Sequence, residues 1–175
     1  SRLRAIAKIM ASRSELGMNR QVFFVNRGGW DHHRGVLDAQ DGLFTEINEA
    51  IGAFWRELGH LGLQDKVVLF TASDFGRTLT SNGQGSDHAW GGNHFVVGGD
   101  LNGGTIYGEY PVLATGGPLD IGRGRLLPTT SVDAYMAELA SWFGVPPEEL
   151  ETVFPNAGNF FDPLKSPFPL GMFRS

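Results

Sequence analysis

Apolar residues fall in two rhythms along this chain. In "RLRAIAKIMA", 2–11, Leu3, Ile6, Ala7 and Met10 return at spacings of three, one and three, which places them on one face of a helix. Gly17 offers a stop nearby. From Asp41 to Leu61, Phe44, Ile47, Ile51, Phe54, Leu58 and Leu61 recur every three or four residues. That spacing predicts a helix of about five turns with one apolar stripe. Further on, Thr130 and Ser131 can cap a helix through about Phe143, with Val132, Tyr135, Met136, Leu139 and Phe143 as its inner face. Gly144 ends it, and Pro146 and Pro147 open a short helix to about Val153.

The second rhythm is the short unbroken apolar run. "QVFFVN" (21–26), "KVVLFTAS" (66–73) and "HFVVGG" (94–99) are bounded by polar residues and glycines, as strands buried on both faces are. "TIYGEYPVL" (105–113) is interrupted by Gly108 and Pro111 and reads as a hairpin or edge strand. A long helix between the first two runs makes a strand–helix–strand crossover, the unit of a parallel sheet. The expectation is an α/β fold in one domain, 1–175, with 155–175 as an irregular arm. That arm, with three prolines and four phenylalanines in "FFDPLKSPFPLGMFRS", is expected over an apolar groove or at a subunit contact.

Composition narrows the function. The 175 residues are 41% hydrophobic, enough for one sizeable core. The formal charge of −5 is spread without a basic stripe, which argues against nucleic acid as a partner. No apolar run approaches the roughly 20 residues of a membrane helix, so no membrane insertion is expected. There is no cysteine, which leaves His, Asp and Glu as metal ligands. The 25 glycines concentrate in 76–125 without a period and mark a loop-rich half.

In a parallel sheet, ligands gather beyond the carboxyl ends of the strands. The first run delivers Asp31, His32 and His33 there, and the second delivers Ser73, Asp74, Arg77 and Thr78. "GSDHAWGGNH" adds Asp87, His88 and His94. Carboxylate oxygen and imidazole nitrogen from separate loops are what a divalent ion needs, so Asp31, His33, Asp74 and His88 are the candidate ligands. Zinc, manganese or calcium would suit them, and no organic cofactor is expected. Arg77 can clamp an anion in bidentate fashion. Each has an ordinary alternative. Asp31 and Asp74 suit turns or helix caps, Arg77 suits a structural partner of a nearby acid, and His32 is the bystander of its pair. His60 reads as a solvated helical residue, His94 as a half-buried one, and Trp30 and Trp90 as packing residues. "GGDLNGG" lacks the Lys-Ser/Thr ending of a phosphate loop.

"GGWDHH" (28–33), "SDFGRT" (73–78) and "GSDHAWGG" (85–92) occur in this order, followed by a "GG…YGEYP" segment, "RGRLLPTTS" and "WFG…VFPN". Together they resemble the domain-of-unknown-function family 1501 over about residues 3 to 161. That family comprises mostly bacterial proteins exported with twin-arginine leaders and is grouped with the alkaline phosphatase and sulfatase superfamily. The resemblance implies a three-layer α/β/α fold with a mainly parallel sheet, and a periplasmic or extracellular location. It also implies metal-dependent hydrolysis of phosphate or sulfate esters. Asp31 and His33 would fill one metal-binding role, Asp74 a second and His88 a third, with Arg77 and Asp87 beside the last two in the matching motifs. Phe75 stands where phosphatases have the histidine of an Asp–His pair, which favours one ion or none over two. Superfamily enzymes draw their nucleophile from before the equivalent of "QVFFVN", so this chain is expected to match a C-terminal portion, incomplete at its N-terminal side. The partner would be a small anionic ester or a glycan. The alternative is a non-catalytic exported binding module of the same fold, with a degenerate or structural metal site.

Overall fold

A computed structural model describes residues 2–174. Its helices are α1 (Arg2–Ala11), α2 (Val36–His60), α3 (Val132–Phe143) and α4 (Leu150–Val153). Its strands are β1 (Val68–Phe70), β2 (Gly76–Ser81), β3 (Ser86–Ala89) and β4 (Val96–Gly98). The residues gather into two compact units, one running up to Val68 and taking in Thr80–Asp87, the other made of Leu69–Leu79 and everything from His88 onward.

In the first unit α1 packs on α2. The long helix begins five residues before the predicted start, directly after Gly35 in the left-handed region at φ 57°. Leu58, Phe54 and Leu43 are its buried residues, whereas Phe44, placed in the stripe by spacing, is 52% exposed. Leu61 and Leu63 donate back to Glu57 and Leu58, and Gly62 at φ 63° turns the chain out. Only glycine adopts that conformation without strain, so the helix stops there.

In the second unit β1 pairs with β4, and Thr71 N–H donates to Phe95 O at 3.1 Å. Ser131 caps α3 by accepting Ala134 N–H at 3.0 Å, and Gly144 at φ 105° ends it. Its buried face is Ala134, Ala137, Glu138 and Leu139, rotated from the expected one, with Val132 64% exposed. The rotation has a cause in the C-terminal arm. Glu138 is fully buried and accepts the backbone N–H groups of Leu170, Gly171 and Met172. Met172 and Phe173 are buried, and Phe173 stacks on Trp142 at 5.5 Å. The end of the arm is therefore held by a buried acid.

The three-layer α/β/α expectation is overturned. The described residues form two small antiparallel two-stranded sheets, β1–β4 and β2–β3, and no wide parallel sheet. "QVFFVN" joins no ladder, with Val22 78% and Phe24 90% exposed, and 105–113 contains no strand. The physical reason is that an unbroken apolar run signals a demand for cover, not the neighbour that supplies it. Without 21–26 beside β1 there is no crossover, and β1 takes the local antiparallel partner instead.

Candidate functional site

The loop that carries Asp31 is anchored before it arrives. Arg27 donates to both carboxylate oxygens of Glu46 on α2, at 2.6 and 3.2 Å. The same hydrogen bond holds the Glu46 carboxyl below the usual carboxylate range and raises the Arg27 guanidinium. Trp30 meets Phe44 edge-on at 5.1 Å, so Trp30 is a packing residue, as its sequence context suggested.

The tip of the β2–β3 hairpin then stitches to 32–35. Ser86 N–H donates to His32 O at 3.2 Å, Asn82 Nδ2 to His33 O at 3.2 Å, and Gly35 N–H to Gln84 O at 2.8 Å. Gly85 is required for this approach, because a Cβ there would lie 2.4 Å from His32 O. Asn82 shapes the turn itself, its Oδ1 accepting Gly85 N–H at 2.8 Å and Gln84 N–H at 3.0 Å.

Held this way, His33 Nε2 lies 3.0 Å from Asp31 Oδ1, and its Nδ1 lies 3.3 Å from Asp87 Oδ1. Two ligands bonded to one ion at about 2.0–2.2 Å stand roughly 3 Å apart when the angle between them is near a right angle or a little wider. The Asp31–His33 pair has that spacing and a borderline-hard oxygen–nitrogen donor set, so the residues fit a divalent ion. His32, the bystander of the pair, points inward. It is 6% exposed, and its Nε2 has no hydrogen-bond partner among the described residues.

The second unit places the other candidates. Asp74 and His88 line one hollow of about 320 Å³ with Phe75, Ala89, Trp90, Ile121 and Arg125. Phe75 stacks on the His88 imidazole at 4.0 Å with the planes 2° apart. The aromatic that cannot bind a metal thus fixes the ring plane of a candidate ligand while leaving its in-plane nitrogens on the edge. The Arg77 guanidinium lies 5.7 Å from the Phe75 ring centre, within reach of a cation–π attraction. A Cβ on Gly76 would meet Gly91 O at 1.9 Å, so the bare backbone there permits the close packing of the two segments. Arg125 donates through Nε to Gly122 O at 2.9 Å. Trp90 is 68% exposed, contrary to its expected packing role.

Of the remaining histidines, His60 is solvated, 3.6 Å from Glu57. His94 is partly covered, its ring 6.1 Å from Tyr135, and burial lowers its pKa. Sequence reasoning missed Asn82 and gave Asp87 no role of its own. A polar residue at the apex of a glycine-rich turn was the signal available for the first.

Residues 4–145 match the family model described as "Protein of unknown function (DUF1501)". The chain belongs to that family. No curated protein and no solved structure matches it. Among the described residues, no helix is long and apolar enough to cross a membrane.

Proposed function

We propose that this DUF1501 chain binds a divalent metal ion. Asp31 and His33 are the ligand pair of the first unit, and Asp74 and His88 the candidates of the second. The observation that carries the reading is the 3.0 Å spacing of Asp31 Oδ1 and His33 Nε2. Arg77, whose charge is permanent, is the proposed anion-binding residue. When bound, such an ion polarises an ester oxygen or acidifies water, so the activity to test is hydrolysis of a phosphate or sulfate ester outside the cytoplasm.

The decisive experiment is metal analysis and calorimetric titration of the full chain with Zn²⁺, Mn²⁺ and Ca²⁺. Stoichiometric binding that is lost in Asp31→Ala and His33→Ala supports the reading. Parallel loss in Asp74→Ala and His88→Ala assigns those residues to the same function. Absence of binding to the wild-type chain sinks it. Hydrolysis of aryl phosphate and aryl sulfate by the loaded protein, reduced in Arg77→Ala, carries the ester assignment.

The second reading is a non-catalytic binding module, favoured by Trp90. An indole 68% exposed beside a hollow that also holds Asp74 and Arg125 offers a flat apolar face next to polar groups, the makings of a sugar-ring platform. Retention on immobilised acidic polysaccharide that disappears in Trp90→Ala, without ester hydrolysis, would favour this reading.

A further inference from the structure

We infer that Asp87, tied down by Asn82, is a positioning residue that selects Nε2 of His33 as its ligand nitrogen. The inference rests on the metal reading above, because it assigns a role to the residues behind the ligand. A neutral imidazole carries one proton, and the nitrogen without it is the one that binds a metal. His33 has a carboxylate at each nitrogen, Asp31 Oδ1 at 3.0 Å from Nε2 and Asp87 Oδ1 at 3.3 Å from Nδ1. In a neutral ring, one of those contacts is a hydrogen bond and the other sets two lone pairs against each other. An ion between Asp31 and Nε2 removes that conflict, and the proton then resides on Nδ1, donated to Asp87.

Asp87 is held from behind by the hairpin tip. Asn82 Nδ2 donates to Asp87 Oδ1 at 3.1 Å and to His33 O at 3.2 Å, and the Asn82 oxygen is itself fixed by two turn amides. One amide therefore ties the acceptor and the backbone of the histidine to the same hairpin tip. The Asp87 side chain is 32% exposed against 53% for Asp31. Asp87 is the fixed acceptor, and Asp31 is the more open carboxylate, able to share an ion. A carboxylate behind a metal-bound histidine fixes its tautomer and orientation, and losing it typically costs about 10–100-fold in metal affinity.

The experiment is Zn²⁺ titration of the full chain and of Asp87→Ala, Asp87→Asn and Asn82→Ala, with ¹⁵N spectra of the His33 ring. Amide spectra confirm that each variant is folded. The expected result is a loss of about 10–100-fold in Asp87→Ala, a smaller loss in Asp87→Asn and Asn82→Ala, and an Nδ1–H, Nε2-bound ring in the loaded wild-type chain. Unchanged affinity in Asp87→Ala, while His33→Ala abolishes binding, overturns the inference and leaves the metal reading standing. A ring bound through Nδ1 also overturns it. If the wild-type chain binds no metal, the metal reading fails and the ring alone decides: an Nδ1–H form that persists in Asp87→Ala overturns the positioning role, and one that gives way there supports it.

Discussion

The buried carboxylate of Glu138 accepts the backbone N–H of Met172, thirty-four residues along the chain. With Leu170 and Gly171 on the same acid, one side chain of α3 fixes the course of the C-terminal arm. Glu138→Ala would leave these donors without an acceptor, and a lost hydrogen bond to a charged group costs about 1.5–3 kcal/mol. The expected destabilisation is about 2–3 kcal/mol in urea unfolding, with faster amide exchange at Leu170, Gly171 and Met172. Unchanged exchange at those three amides would contradict the clamp.

Gly85 and Gly42 make a contrasting pair. Alanine at Gly85 would drive a Cβ against the His32 carbonyl at 2.4 Å, so Gly85→Ala is expected to cost about 1–3 kcal/mol, as overpacking does. It should also weaken Zn²⁺ binding through the Asp31–His33 loop. Gly42 lies within α2, and a Cβ there would meet nothing within 4 Å. Gly42→Ala should stabilise by about 0.5–1 kcal/mol. Chemical denaturation of both variants checks the signs.

Tyr135 donates its hydroxyl to Thr71 O at 3.1 Å, and burial pushes its pKa up. Tyr135→Phe keeps the ring against Phe70 and removes the hydrogen bond, so a loss of about 1 kcal/mol is expected. A thermal shift comparison with wild type measures it.

His94 gives a pH dependence of determined sign. Burial lowers its folded pKa below the ordinary 6.5, so the unfolded chain takes up the proton first. Its contribution to stability is complete above about pH 6.5 and is lost as the pH falls below that value. The urea midpoint should therefore drop on acidification, and less so in His94→Gln. The effect is small because the ring keeps an exposed edge. An equal drop in both proteins would assign the acid sensitivity elsewhere.

Helices were the most legible part of this sequence. α1, α3 with its Ser131 cap and Gly144 stop, and the Pro147 start of the following turn stand where spacing and end signals put them. β1 and β4 are also where the apolar runs lie. The architecture was not legible, because residues 21–26 carry a strand's composition without a ladder, and pairing partners are a non-local property. At the site, the motif order brought Asp31 and His33 to notice and their structure pairs them. Glu138 escaped because it acts through backbone amides, and Asn82 because it acts on its own turn, on Asp87 and on the His33 carbonyl, none of which periodicity reveals.

The bare "VFFV" of 22–25 has a consequence for handling the molecule. Phe24 and Val22 stand in water at 90% and 78% exposure, in an uncharged run between Arg20 and Arg27. Such a stretch is a template for strand addition and for irreversible clumping. Its colloidal behaviour should therefore follow protein concentration, and a Phe24→Lys gatekeeper should raise the concentration at which light scattering first climbs.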